Sequence, residues 1–234
     1  MVTIDNYLEK HYIHRSNWLR AAVLGANDGI ISISSLAIGI TAASLSREAV
    51  ILATLAGLVA GALSMAAGEY VSVSSQTDIE NADIEREARE LEDMPDLELK
   101  LLAQIYERRG LSSKTAMQVA IELTEKDALA AHVRDELGIN EISQANPIQA
   151  GLASGAAFTA GGILPLLVVL IAPLNNMEYY LYGLTIVFLI ILGIISAKAG
   201  GAKVRNAILR IAIWGTIAMG LSALVGYLFG VNIH

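Results

Sequence analysis

The sequence predicts an all-α membrane protein with five transmembrane helices and a cytosolic helical insert between the second and third. Three observations carry that prediction. The 234 residues are 54% hydrophobic and only 17% charged, and the mean hydropathy is +0.53, whereas soluble domains run about 45–50% apolar and about 25% charged. Five stretches, at 21–44, 49–73, 148–172, 179–197 and 207–229, are apolar over the roughly 20 residues a bilayer requires. The charge is also segregated. Residues 76–146 hold 17 acids and 8 bases, a net of −9, and the rest of the chain holds 6 acids and 8 bases, a net of +2. Three regions follow: 1–75 with the first two spans, the acidic insert 76–146, and 147–234 with the last three spans.

Composition excludes several functions. Without cysteine there is no disulfide framework and no thiolate metal site. A pI near 5.1 and an acidic middle argue against nucleic acid, which attracts Lys/Arg stripes, and favour cations as partners. The first residues carry Asp5, Glu9, Lys10, His11, His14 and Arg15, too polar for a signal peptide. With no targeting segment read, the expected home is a prokaryotic plasma membrane.

Orientation follows from the short links. Lys198, Lys203, Arg205 and Arg210 surround the link between spans four and five, and residues 173–178 between spans three and four contain no Lys or Arg. The positive-inside rule puts the first link in the cytosol. The N-terminus and insert are then cytosolic and His234 lies outside; Lys10, Arg15 and Arg20 ahead of span one agree. Trp18, Tyr179, Tyr180, Tyr182 and Tyr227 fall at span edges, where amphipathic rings favour the headgroup layer. Gly57 with Gly61, and Gly151 with Gly155, form Gly-x-x-x-Gly pairs. These predict close helix packing within the chain, or a seam between two copies.

The second span lacks a stop at its end. From Tyr70 to Asp93 there is neither Gly nor Pro after Gly68, so one helix is expected to leave the bilayer and continue to Met94-Pro95, where proline disfavours helix just before it. A second insert helix is expected from Pro95 to the cap at Gly110. A third begins at Ser112 or Ser113 and runs to about Lys126, and a fourth is capped by Asp127 and closed by Gly138. Leu97, Leu101, Ile105, Val119, Leu123, Leu129, Val133 and Leu137 recur at helical spacing as the expected core.

Two groups of residues point to cation chemistry. Glu80, Asp83, Glu87 and Glu90 follow i, i+3, i+7, i+10 and share a helix face. His132 and Glu136, at i, i+4, reach one point from adjacent turns. Carboxylates with an imidazole suit divalent Fe, Mn or Zn. Charged faces on soluble helices are ordinarily just solvated, and Arg86, Arg89 and Arg134 are at hand to neutralise this one. In the spans, Asp28 lies in Gly25-Ala26-Asn27-Asp28-Gly29, where the glycines leave room for water, an ion or another backbone. A carboxylate there costs roughly 2.5–3.5 kcal/mol on insertion scales and ordinarily faces a cavity or partner. Met65 and Glu69, at i, i+4 in span two, offer a thioether and a second carboxylate; a lone methionine is more often simple packing.

Several stretches together resemble one family. They are His14-Arg15-Ser16-Asn17-Trp18-Leu19-Arg20, Leu24-Gly25-Ala26-Asn27-Asp28-Gly29-Ile30 and Gly61-Ala62-Leu63-Ser64-Met65-Ala66-Ala67-Gly68-Glu69-Tyr70-Val71-Ser72. In the insert they are Ile105-Tyr106-Glu107-Arg108-Arg109-Gly110-Leu111 and Arg134-Asp135-Glu136-Leu137-Gly138. The chain resembles the vacuolar iron transporter family, in its prokaryotic membrane form, over nearly its whole length. The resemblance implies a homodimer that moves Fe(II), and often Mn(II), out of the cytosol in exchange for protons, with Zn(II) or Co(II) as further ions bound and no permanent cofactor. It implies an intramembrane pathway through Asp28 and Met65; Glu69, one turn beyond Met65, is expected at its cytosolic entrance. It also implies that the insert is a metal-binding domain using Glu87, Glu90, Glu98 and Glu136; Glu80 and Asp83, on the same helix face by spacing, are secondary candidates. The chain departs from the family pattern at Leu101, where an acid is expected, at His132-Val133, where some members pair methionines, and at Gly57, acidic in some relatives. A membrane-anchored metal sensor or buffer is the competing reading. An enzyme is not expected, because a di-iron bundle uses Glu-x-x-His motifs and none occurs.

Overall fold

The computed structural model describes residues 16–43, 46–139 and 146–230, without the side chains of 16–20. Lys10, His14, Arg15 and His234 lie outside the described residues, as do Ser44 at the end of the first expected span and the side chains of Trp18 and Arg20. Every regular element among the described residues is helical: α1 Ser16–Ala43, α2 Arg47–Asp93, α3 Pro95–Arg108, α4 Ser113–Asp135, α5 Pro147–Ile171, α6 Met177–Gly200 and α7 Val204–Gly230, with a 3-10 turn at Leu174–Asn176. Five of these are long and apolar enough to cross a membrane: α1, α2, α5, α6 and α7.

Contacts divide the chain into two compact units, residues 1–70 with 148–234, and residues 71–147. In the first, α1 packs on α6 and α7. A core of Ala37, Ile38, Val50, Val169, Met177, Leu181 and Met219 lies at one end, and Ile33, Leu58 and Phe158 form a second cluster. Glycine sets how closely the helices approach. A Cβ added to Gly29 would stand 2.1 Å from the Phe158 carbonyl oxygen, and one on Gly25 2.7 Å from that of Ser154. The room beside Asp28 is therefore filled by the backbone of α5. The Gly-x-x-x-Gly pairs are likewise spent inside the chain: Gly61 faces the Phe158 ring, Gly151 and Gly155 face the Ala66 and Ala62 carbonyls, and Gly57 faces Leu36.

Polar groups in this unit are largely satisfied locally. Thr41, Thr54 and Thr159 donate to carbonyls four residues back, and Ser34 meets Thr185 at 2.7 Å. Arg47, at the start of α2, donates Nη1 to the carbonyls of Val169 and Leu170 at 3.0 and 3.1 Å, and Nη2 to that of Ala172. Val169 and Leu170 supply two of the last carbonyls of α5, which lack intrahelical partners and carry the negative end of its dipole, and Ala172 follows directly after the helix.

The second unit is built by its caps. Helix α2 runs unbroken to Asp93, Met94 leaves helical geometry, and Pro95 occupies the first position of α3. Ser112 caps α4 by accepting from the Thr115 N–H. At Asp127 the backbone is extended (φ −169°, ψ 95°), and its Oδ1 accepts from the Ala130 N–H at 2.9 Å. A new N-cap therefore splits α4 into the two helices read from the sequence. Gly110 and Gly138 take positive φ after the helix ends, where L-residues with a Cβ are strained.

The core of this unit differs from the expected stripe. Leu102, Ala103, Ala120 and Ala131 are buried, with Leu99, Tyr106, Met117 and Leu123 packed around them, while Leu97 is 47% exposed. Helix α3 is turned one position from the apolar pattern, so that Glu98 and Leu102 point inward instead of Leu97 and Leu101. Alanines at the contacts let the helices pack closely, a signal weaker than a leucine stripe.

Candidate metal centre

Three elements of the second unit converge on one point. Glu87 comes from α2, Glu98 from α3, and His132 and Glu136 from adjacent turns at the end of α4. One ligand atom from each lies within 4.8 Å of all the others. Nδ1 of His132 is 2.7 Å from Oε1 of Glu87, 3.1 Å from Oε2 of Glu136 and 3.9 Å from Oε2 of Glu98. Two ligands on opposite sides of a Zn- or Fe-sized ion stand about 4 Å apart, given ~2.1 Å bonds, so small side-chain movements suffice to share an ion.

The electrostatics are unfavourable without a cation. His132 is fully buried, and Glu87 and Glu98 are each 3% exposed. No Lys or Arg pairs with Glu87, Glu98 or Glu136 among the described residues. Even a charged imidazole would leave three ionised carboxylates two charges in excess. Burial pushes the Glu87 carboxyl above its usual range, and the neighbouring charge of Glu136 pushes it further, against the opposing effect of His132. Burial likewise raises Glu98, helped by Glu136 and Glu90. Oε1 of Glu87 and Nε2 of His132 are both buried without a hydrogen-bond partner. Buried polar atoms are nearly always satisfied, so a carboxylate oxygen that meets only Nδ1 of His132, outside hydrogen-bond geometry, points to a ligand.

Beside the cluster stands an anchor that spacing did not reveal. The Asp135 carboxylate accepts from Tyr106 Oη at 2.7 Å, Arg109 Nη1 at 2.7 Å and Arg134 Nη2 at 2.6 Å. Burial alone would raise Asp135, but hydrogen bonds from Arg134, Tyr106 and Arg109 outweigh it and hold the carboxyl at about 2. The Arg109 guanidinium also lies 5.2 Å from the Tyr106 ring centre. The end of α3 is thereby fastened to the last turn of α4, one residue before Glu136. Tyr106 and Arg109 at i, i+3 ahead of Gly110, with Arg134-Asp135 later, were the available signal.

Other expected residues stand apart from the cluster. Glu90 is half-buried and acts on Glu87 and Glu98 through its charge alone. Glu80 accepts from Gln76 at 2.8 Å, and Asp83 pairs with Arg86 at 2.9 Å. In the spans, half-buried Asp28 accepts a 2.6 Å hydrogen bond from Ser32, and Glu69 is half-buried. Met65 packs against the Ile33, Leu58 and Phe158 cluster.

The VIT family model matches residues 19–227. A vacuolar iron transporter of Acanthamoeba castellanii is 44% identical over 229 residues, covering 96% of this chain and 84% of that protein. Vacuolar iron transporter homolog 1 of rice is 36% identical over 95% of this chain and 78% of its own length. Homolog 2 of rice is 36% identical over 94% and 95%. With most of its length matched by the family model and by these relatives, the chain belongs to the VIT family, whose members are membrane transporters and not enzymes.

Proposed function

We propose that the protein exports divalent iron or manganese from the cytosol across the membrane in exchange for protons. Of the relatives named above, the Acanthamoeba protein is named a vacuolar iron transporter and the two rice proteins vacuolar iron transporter homologs. The observation that carries the reading to this chain is the Glu87–Glu98–His132–Glu136 cluster, three of its members buried and Glu136 exposed, whose excess negative charge no Lys or Arg offsets among the described residues. These four residues hold the ion, and the acidic insert raises its local concentration on the cytosolic side. Asp28 and Met65 from two copies of the chain then form the intramembrane site, with Glu69 at its entrance, and protons replace the ion on the return.

The dimer has its own support. Leu24, Asp28, Ser32 and Leu36 follow one another at i+4 along α1, and Leu24, Ser32 and Leu36 are exposed in the single chain while Asp28 is only half-buried. A carboxylate on a lipid-facing helix surface calls for a covering partner or an aqueous passage. The cluster of basic residues at Lys198, Lys203, Arg205 and Arg210 supports a cytosolic N-terminus and insert and an external C-terminus. The home membrane in this reading is one that bounds the cytosol, the prokaryotic plasma membrane expected above.

The test is pH-gradient-driven uptake into proteoliposomes of Fe(II), Mn(II), Co(II), Zn(II) and Mg(II). Flux of Fe(II) or Mn(II) that collapses in Asp28→Ala supports the reading; unaltered flux in that variant refutes the assigned pathway. A sensor or buffer is the second reading, favoured by the complete cluster lying within residues 71–147. It requires metal binding by the intact protein with no flux of any ion.

A further inference from the structure

The arrangement around His132 goes beyond the presence of a metal centre. It is fully buried, so its ring cannot swing into solvent to vacate a coordination position. Its Nδ1 is the atom on which the three carboxylates close, at 2.7, 3.1 and 3.9 Å. Its other nitrogen, Nε2, is buried without a hydrogen-bond partner, so burial and the carboxylates around Nδ1 set the ring's orientation. The remaining donors, Glu87, Glu98 and Glu136, are all carboxylate oxygen.

We propose that His132 is the specificity-determining ligand of the centre, supplying one fixed nitrogen that biases an otherwise all-oxygen site toward imidazole-favouring ions and against hard ones. The inference rests on the reading of the cluster as a metal centre. Imidazole suits Zn, Cu, Fe and Ni, with Co between Fe and Ni in the first-row series, whereas carboxylate, carbonyl and water suit Mg, Ca and Mn. Magnesium moreover demands near-ideal octahedral oxygen geometry and gives up its water reluctantly. An ion that prefers oxygen must here accept the nitrogen of a ring that burial holds in place. Zn(II) and Co(II) gain a strong bond at the same place. The general rise in affinity along the first-row series acts on any donor set, so the decisive quantity is the change in the Zn-to-Mn affinity ratio when His132 is replaced.

The experiment uses the full-length protein in lipid nanodiscs. Zn(II), Co(II), Mn(II) and Mg(II) are titrated by calorimetry into the wild type, His132→Gln and Glu98→Gln. Glutamine offers an oxygen in place of nitrogen. The expected result is that His132→Gln weakens Zn(II) and Co(II) at least about tenfold, the scale on which altered metal shells act, and shifts Mn(II) and Mg(II) less than about threefold. Glu98→Gln instead weakens all four ions. A direct signature stands apart from any variant: pulsed EPR of the Mn(II)-loaded wild type shows nitrogen modulation from a coordinated imidazole. Equal weakening of all four metals in His132→Gln, or Mn(II) bound without nitrogen modulation, overturns the proposal and leaves the metal centre standing. A wild type whose metal binding is untouched by Glu98→Gln overturns both the specificity role and the centre beneath it.

Discussion

Tyr106 and Asp135 are joined by a 2.7 Å hydrogen bond that ties the end of α3 to the last turn of α4. Arg109 and Arg134 grip the same carboxylate, and Glu136 is the next residue along. The carboxyl is held at about 2, against a usual 3.8. A depressed acid contributes stability that is present above its unfolded value and lost as pH falls through the folded one. The contribution is therefore complete above about pH 4 and disappears toward pH 2. That lowering corresponds to about 2 kcal/mol at neutral pH. Asp135→Asn should remove most of it and flatten that acid limb. Hydrogen exchange of the α3 and α4 amides in the full-length protein measures the loss; unchanged protection would mean the anchor is ornamental.

Glu87 behaves in the opposite sense. Its carboxyl is raised by burial and by the charge of Glu136, so in the metal-free protein the ionised form opposes folding of the insert. Glu87→Gln keeps the shape and removes the charge. It should raise the metal-free melting temperature by a few degrees, about 1 kcal/mol, as replacing uncompensated buried charge commonly does. The same variant should lose metal binding and the stabilisation that added Mn(II) or Zn(II) gives the wild type. A lower melting temperature without metal would show that Glu87 is chiefly a structural partner of His132.

Helix approach in the spanning unit makes a sharper contrast. A Cβ on Gly29 meets the Phe158 carbonyl oxygen at 2.1 Å and the Gly162 nitrogen at 2.9 Å, both backbone atoms that cannot turn aside. Gly68 and Gly183 meet nothing within 4 Å. Gly29→Ala should destabilise by about 1–3 kcal/mol or more, the range for overpacking. Gly68→Ala and Gly183→Ala should be neutral or stabilising by up to about 1 kcal/mol, because alanine is the better helix former. Thermal challenge followed by size-exclusion chromatography ranks the three; a tolerant Gly29→Ala would show that α1 and α5 do not approach as described.

How far all this could be read from the sequence depends on the kind of signal. The spans were legible because apolar runs at 21–44, 49–73, 148–172, 179–197 and 207–229 need no partner to be recognised, and Met94-Pro95 and Asp127 were legible because a proline stop and an aspartate cap act within a few residues. The rotation of α3 was not. Leu97, Leu101 and Ile105 make the better apolar stripe, yet Glu98 faces inward because the centre gathers charge from three helices, a tertiary demand that outweighs local pattern. For the same reason i, i+3 spacing could not say which of Glu80, Asp83, Glu87 and Glu90 would meet His132; the structure brings only Glu87 into the cluster. Glycines around Asp28 announced room for water, an ion or another backbone, and only the path of α5 determines that backbone fills it.

Ser32 is one turn beyond Asp28, and its hydroxyl donates to Oδ1 at 2.6 Å. In the proposed pathway this bond holds the carboxylate in one rotamer, and where water is scarce such an ordering contact keeps more of its strength than in solution. Ser32→Ala frees the carboxylate to sample other rotamers and removes one oxygen from its surroundings. It should therefore raise the metal concentration needed for half-maximal flux about three- to tenfold, the scale of a net hydrogen bond of ~1 kcal/mol, and leave the maximal rate within about twofold. Ser32→Thr, which retains the hydroxyl, should restore the wild-type value. Loss of maximal flux with unchanged half-saturation in Ser32→Ala, not rescued by threonine, would place Ser32 in helix packing and free Asp28 of any dependence on it.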